Sequence, residues 1–286
     1  MSDRVHGWVA AGPAALASGM LWLVTAALFP DGTGALLLIA VLAGVLVLAF
    51  GCGENAMLRW YLWVRRPTAA QTATLKPALA ILAELGGLPA GTGVYVTRSP
   101  VAPQVQAVGR RSLMISAGLI EGVFYGRVTA PETAAMLAYA GSDLTRGHTR
   151  HQLAAEVATL PWQLVTIVSH AIGSRSMVIP GVRLLWRARG VIGAIAVGQA
   201  LTHHGPPGVA GPISAAIITG LVVMGYAAPI SQRILADRHQ ALADWDVALL
   251  GLGDPLSRLV ARGQAGPCTI DRIHRIRSWS CLPAWH

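Results

Sequence analysis

Two uncharged apolar runs near the beginning of the chain constrain its fold more than any other feature. Pro13–Phe29 and Gly34–Gly51 contain no Asp, Glu, Lys or Arg, and the turn signal Pro30-Asp31-Gly32 lies between them. Each run approaches the ~20 residues that a helix needs to cross the hydrocarbon of a bilayer. The pattern therefore predicts a transmembrane hairpin within residues 1–66.

A second pair of apolar runs follows in the other half of the chain. Gly211–Ile230 is uncharged and Gly190–Thr202 is shorter, and together they predict a second transmembrane hairpin at about residues 190–230. The stretch Leu160–Pro180 is ambiguous, because it is apolar but contains His170 and Arg175. The sequence leaves open whether this stretch also crosses the bilayer.

The charge balance supports a membrane protein. The chain is 53% hydrophobic and 12% charged, whereas a soluble domain carries roughly 25% charged residues. Its 22 basic and 13 acidic residues give a formal charge of +9, which in so apolar a chain favours anionic lipid over nucleic acid. Arg59, Arg65 and Arg66 follow the first hairpin, and positive segments stay cytoplasmic. We therefore predict a multi-pass protein of the cell membrane with both termini cytoplasmic. Its predicted partners are the lipid bilayer and other membrane proteins, without nucleic acid.

The intervening residues 67–155 are less apolar and predict a small folded unit. Helical periodicity covers Gln71–Leu85, and short β-rich runs surround Tyr95 and Met114. Thr129-Ala130-Pro131-Glu132 is a capping box, which predicts a helix from about Pro131 to beyond Gln152. The predicted fold is mainly α and integral to the membrane, with two transmembrane hairpins and a small α+β cytoplasmic unit. Its predicted domains are residues 1–66 and 67–286.

Several segments, in a consistent order along the chain, resemble HtpX-type membrane metallopeptidases. The first two, Pro103–Arg111 and Ile115–Glu121, are similar to the family's Asn-Ala-Phe-Ala-x-Gly segment and to its strand ending in Thr-Gly-Leu-Leu. Gly147-His148-Thr149 resembles the tripeptide after the zinc motif. Asp237–Gly251 resembles the helix with the third zinc ligand, and Pro267–Arg277 resembles the closing arginine-rich segment. The resemblance implies a gluzincin zinc endopeptidase of the cell membrane that faces the cytoplasm.

The resemblance also identifies the positions where the chemistry of that family would lie. The family needs His-Glu-x-x-His on a helix and a later Glu, so that three ligands hold zinc and the first Glu activates water. Aligned on this pattern, Tyr139 and Asp143 occupy the two His positions, Ala140 the general-base position and Gln240 the third-ligand position. Ala140 cannot accept a proton, and a phenol with a pKa near ~10 is a poor ligand at neutral pH. The sequence therefore predicts no catalytic residue, no metal and no cofactor.

The leading hypothesis is a catalytically inactive HtpX-like protein, a pseudopeptidase that binds or regulates membrane partners. The second is a working zinc endopeptidase with a different ligand set, for which Asp143, His148, His151 and Glu156 lie on or just after one helix. The third is a component of a membrane complex unrelated to proteases. Tyr139 and Asp143 are one turn apart and share a helix face, so we expect them to face one polar cleft and to hydrogen-bond each other.

Overall fold

The computed structural model describes residues 3–29, 32–61, 63–97, 104–176, 195, 210–262 and 267–280. These residues form mainly helices, with one small sheet. The elements in chain order are α1 (Asp3–Ala27), α2 (Thr33–Ala49), α3 (Glu54–Tyr61), α4 (Ala69–Leu85), β1 (Gly93–Thr97), β2 (Val105–Val108), β3 (Ser112–Ser116), α5 (Ala117–Phe124), α6 (Ala130–Arg146), α7 (Gln152–Ser176), α8 (Ala210–Leu249), α9 (Gly253–Arg262) and α10 (Pro267–Ser280).

The chain divides into two compact units. One contains Met1–Leu42 and Glu156–Asp237, and the other contains Ala43–Ala155 and Arg238–His286. In the first unit, α1 and the beginning of α2 expose large apolar side chains, among them Leu16, Met20, Leu36 and Ile39. The second unit contains the sheet and every residue of the metallopeptidase-like motif, so the candidate site belongs to it.

The helices in the described part of the chain overturn the membrane predictions. None of them combines the length and the apolar character needed to cross a bilayer. Helix α2 has 17 residues, and at 1.5 Å per residue it measures about 25 Å, less than the ~30 Å of hydrocarbon. The predictions of an integral membrane fold with two transmembrane hairpins, and of a multi-pass location in the cell membrane with cytoplasmic termini, are therefore wrong.

Parts of the second predicted hairpin lie outside the described residues. Of Gly190–Thr202 only Ile195 is described, and it is exposed. The ambiguous stretch Leu160–Pro180 falls within α7 as far as Ser176, and residues 177–180 lie outside the described part of the chain. The run Gly211–Ile230 is helical, as the first half of the 40-residue helix α8.

The sheet of the second unit has the strand order β1-β3-β2. β1 pairs with β3 in parallel and β2 pairs with β3 antiparallel, so that Leu113 of β3 lies opposite both Val94 and Ala107. Leu113 is fully buried. Helices α5 and α6 pack against this sheet, α4 packs against α5 and α6, and α9 packs against α6. The strands predicted around Tyr95 and Met114 are confirmed as β1 and β3.

Helix α6 forms the centre of the apolar core. Its buried side chains include Leu137, Ala138 and Ala140, and they belong to one cluster with Leu82 of α4 and Ile276 of α10. Burial of apolar surface at roughly 25 cal/mol per Å² is the main favourable term for such a core. The helix that carries the motif positions is therefore held rigidly by neighbours on several sides.

The ends of α6 are set by local signals. The Thr129 hydroxyl accepts a hydrogen bond from the Glu132 N–H, and the Glu132 carboxylate accepts one from the Thr129 N–H, which confirms the predicted capping box. The helix ends at Arg146, so the predicted extension beyond Gln152 is wrong. Gly147 adopts a left-handed φ of 72°, where a residue without Cβ is favoured, and this ends the helix. The predicted helix Gln71–Leu85 is confirmed as α4.

The buried Glu132 predicts a specific acid sensitivity. Burial raises the pKa of Glu132, but hydrogen bonds from Thr129 and contact with Arg262 outweigh burial, so the pKa lies below its ordinary value of 4.5. A carboxylate whose pKa is lower in the folded than in the unfolded state stabilises the fold at pH values above its unfolded-state pKa. This stabilisation is lost as the pH falls through the folded-state pKa. We expect wild type to be more stable than Glu132→Gln at pH 7 and the difference to shrink below about pH 4.5. Thermal unfolding of both proteins across pH 3–7 measures it, and parallel profiles would contradict the prediction.

Candidate functional site

The positions aligned with the zinc motif lie on α6 and on the last residues of α8, within one unit. Ala140 is buried in the apolar core at 2% exposure, where no polar group could be presented to a ligand. Tyr139 and Asp143 are both partly buried and close enough for the Asp143 charge to raise the pKa of Tyr139. The two side chains therefore lie near each other, but the expected hydrogen bond between them is not formed: Asp143 contacts His148, and Tyr139 contacts Arg272.

A buried ion pair lies beside these positions. The carboxylate of Asp244 on α8 is completely buried. Arg272 of α10 donates from Nη2 to Asp244 Oδ1 at 2.7 Å and from Nε to Asp244 Oδ2 at 3.0 Å. Arg275 lies farther away, with its Nη2 3.8 Å from Asp244 Oδ2. This two-point geometry is the strong form of an arginine–carboxylate contact.

Two motif positions contact the same guanidinium. Oriented so that its amide oxygen faces Arg272, Gln240 accepts from Nη1 at 3.3 Å, and this oxygen also lies 2.9 Å from Nε. The Arg272 guanidinium also lies over Tyr139, with its Cζ 5.4 Å from the centroid of the ring. The guanidinium of Arg272 therefore joins Tyr139, Gln240 and Asp244. We call these four residues the Arg272 network.

The electrostatics of the Arg272 network keep both Tyr139 and Arg272 protonated. Burial raises the pKa of Tyr139 to about 12, and the nearby Asp244 and Asp143 carboxylates add to this rise against the opposing effect of Arg272. Burial lowers the pKa of Arg272, but the hydrogen bonds and charge of Asp244 outweigh it and leave the pKa raised. Tyr139 is thus a neutral phenol at physiological pH, and Arg272 is a permanent cation.

A second group of polar side chains adjoins the network. The possible ligand atoms of Asp143, His148 and His239 all lie within 4.8 Å of one another. Asp143 Oδ1 is 3.4 Å from His148 Nδ1, and the two imidazoles stack with their centroids 3.8 Å apart and their planes at 5°. We call these three residues the Asp-His-His cluster. Asp143 and His148 were among the four residues proposed for a substituted site, while the other two, His151 and Glu156, are not part of the cluster.

The stacked imidazoles do not converge on one ion. An imidazole binds zinc through a nitrogen lone pair that lies in the plane of its ring, at about 2.0–2.1 Å. Because the His148 and His239 rings are parallel and separated, no single point lies in both planes, and one ring would have to rotate before both could bind. The Asp-His-His cluster as observed is therefore not a preformed zinc site.

The residues present do not fit the zinc centre that the resemblance implies. A neutral tyrosine and an amide occupy two ligand positions, both contact the Arg272 guanidinium, and Ala140 offers no base. A fixed positive charge among the ligand positions opposes a divalent cation. Arg272, Asp244 and His239 were missed as members of the site. Asp244 could have been predicted, because it lies four residues after Gln240 and therefore on the same face of α8.

Comparisons of the chain with protein-family models, with curated proteins and with solved structures found no match. Function therefore has to be inferred from the side chains of the site and their chemistry.

Proposed function

We propose that this chain is a catalytically inactive, metallopeptidase-like protein that acts by binding and regulating other proteins. The observation that carries the proposal is the guanidinium of Arg272, which joins Tyr139, Gln240 and the buried Asp244. In an active zinc peptidase the equivalent ligand positions hold a metal and its water. Here an internal cation contacts two of the three aligned ligand positions, Tyr139 and Gln240, and Ala140 supplies no base to activate water.

The free-energy cost of replacing Arg272 by a metal ion supports the proposal. A metal entering the site would have to displace Arg272 from Asp244, which would separate a buried ion pair at a large cost in free energy. The incoming ion would also gain only neutral ligands from Tyr139 and Gln240. The Arg272 network therefore favours a state without metal, in which the protein acts by binding.

Metal content tests the proposal directly. We expect the purified full-length chain, incubated with equimolar zinc and desalted, to retain far less than one equivalent by elemental analysis. We also expect no chelator-sensitive cleavage of an unfolded protein substrate such as casein. One equivalent of tightly bound zinc, together with cleavage that a chelator abolishes, would overturn the proposal.

One observation favours a second candidate function, an active zinc endopeptidase with a non-standard ligand set. The Asp-His-His cluster offers two imidazoles and a carboxylate, which is a ligand set that zinc accepts once a ring rotates. Under this alternative, His148→Ala abolishes zinc retention and cleavage. The matched control is His151→Ala, an exposed histidine three residues farther along the chain. Equal zinc retention by wild type and His148→Ala would exclude the alternative.

A further inference from the structure

A large polar cavity opens in the second unit, away from the Arg272 network. Its volume is about 980 Å³, at the upper end of the roughly 300–1,000 Å³ typical of small-ligand sites. Five segments of the chain meet there: the turn after α2, the residue Arg66, the beginning of β1, the turn between β2 and β3, and the loop after α6. The cavity is therefore built from one compact unit.

Arginine side chains dominate the lining of this cavity. Five of them line it, Arg66, Arg110, Arg111, Arg146 and Arg150. The single carboxylate among its described lining residues is Glu54, which is engaged internally because its Oε1 accepts the Arg110 N–H at 2.8 Å. The cavity is thus strongly cationic.

Three of these cations have no counter-ion among the residues that the structure describes. Arg146 forms a 2.6 Å ion pair with Asp246. Arg66, Arg111 and Arg150 are exposed, and within the described residues none of them forms a salt bridge. Placing like charges together around a recess costs free energy in the free protein. An anionic ligand would relieve that repulsion.

Arg110 is fixed in the wall of the cavity. Its Nη2 donates to the Ala49 carbonyl at 2.8 Å, while its Nε is buried without a hydrogen-bond partner in the described part of the chain. A β-carbon on Gly51, which has a φ of 81°, would lie 2.8 Å from that Nε, so the glycine allows this close approach. An unsatisfied buried donor of this kind is costly.

The neighbouring turn is also rigid. Gly109 has a left-handed φ of 66°, and its carbonyl accepts a 2.6 Å hydrogen bond from the buried Thr149 hydroxyl. This bond ties the β2–β3 turn, which carries Arg110 and Arg111, to the loop that carries Arg150. The arginines of the two segments are therefore presented from connected backbone, which lowers the entropic cost of gathering them around a ligand.

We propose that this cavity binds a small ligand that carries at least two phosphate groups. A guanidinium offers paired N–H donors that match phosphate oxygens in a two-point contact. Three arginines without a counter-ion in the described part of the chain exceed what one phosphate needs, and adjacent phosphates would engage them together. A recess of this size admits a small molecule, whereas a nucleic-acid strand needs an extended basic stripe. The inference does not depend on the proposed inactivity of the Arg272 network.

Calorimetric titration of the full-length chain with pyrophosphate tests the proposal. Arg111→Gln/Arg150→Gln removes two lining cations, and Arg258→Gln/Arg277→Gln removes two exposed cations outside the cavity, so both variants lose the same charge. Each lost charge-assisted hydrogen bond weakens binding about 10-fold or more. We therefore expect about 100-fold weaker binding by the first variant and less than about 3-fold weakening by the second, because distant exposed charges are screened.

A second measurement needs no variant. Phenylglyoxal modifies accessible arginines, and mass spectrometry identifies each modified site. We expect pyrophosphate to protect Arg111 and Arg150 and to leave Arg258 and Arg277 reactive.

Four results would overturn the proposal. They are the absence of pyrophosphate binding at millimolar concentration, equal weakening by both variants, protection of all four arginines alike, and tighter binding of citrate or of an oligonucleotide than of pyrophosphate.

Discussion

Replacement of Asp244 by asparagine is expected to lower the free energy of unfolding by about 3–5 kcal/mol. Asp244 is fully buried and neutralises Arg272, whose side chain is only 21% exposed. The amide keeps the shape of the carboxylate but removes its charge, so that a largely buried guanidinium loses its counter-ion. Removing one partner of a buried ion pair leaves the other charge buried without a counter-ion. This costs far more free energy than replacing both partners by apolar residues.

Urea denaturation followed by circular dichroism measures this effect, and α8 provides a matched control. Asp246 lies two residues away and pairs with Arg146, but both side chains are partly exposed, at 26% and 33%. An exposed pair of this kind contributes about 0–1 kcal/mol, so Asp246→Asn should change stability by no more than that. Similar losses in the two variants would refute the buried role of the Asp244–Arg272 pair.

Truncation of Leu137 to alanine is expected to lower the free energy of unfolding by about 2–5 kcal/mol. Leu137 is fully buried on α6, in the same apolar cluster as Leu113, Leu119 and Ile276. Removing its isobutyl group leaves a cavity that elements packed on several sides cannot fill by collapse, so the loss should lie in the upper part of this range.

The control for this prediction is Leu85→Ala, at the end of α4, where the side chain is 40% exposed. Substitutions at such positions usually change stability by about 0.5 kcal/mol or less. The same urea titration applies to both variants. A loss below about 1 kcal/mol for Leu137→Ala would show that α6 is not the centre of the core.

Local sequence signals predicted local structure well. The capping box at Thr129 and Glu132, the glycines after Leu85 and the β-branched runs in β1 and β3 each fix the conformation of a few neighbouring residues. Such signals act through contacts between residues close in sequence, so they can be identified without knowing the rest of the fold. Gly147 was such a signal too, and its left-handed conformation ends α6 six residues before Gln152.

Predictions that depended on the environment of a helix failed. Hydropathy counts the apolar residues in a run, but it does not give the bounds of the helix, and α2 ends at Ala49 before a turn through Gly51. The Arg272 network could not be predicted either, because Arg272 lies 28 residues after Asp244 and more than 130 after Tyr139. Sequence placed Tyr139 and Asp143 on one face, but their partners come from α8, α10 and the loop after α6.

The position of α10 has a consequence for the order of synthesis. Arg272 and the fully buried Ile276 of this helix complete a cluster whose other members begin at Leu75. A nascent chain that has not yet reached residue 276 leaves Asp244 without its counter-ion and the apolar side chains of α6 partly uncovered. Contacts between residues so distant in sequence form slowly, because the connecting loop must close first. We therefore expect the second unit to complete its folding only after Arg272 and Ile276 have been synthesised.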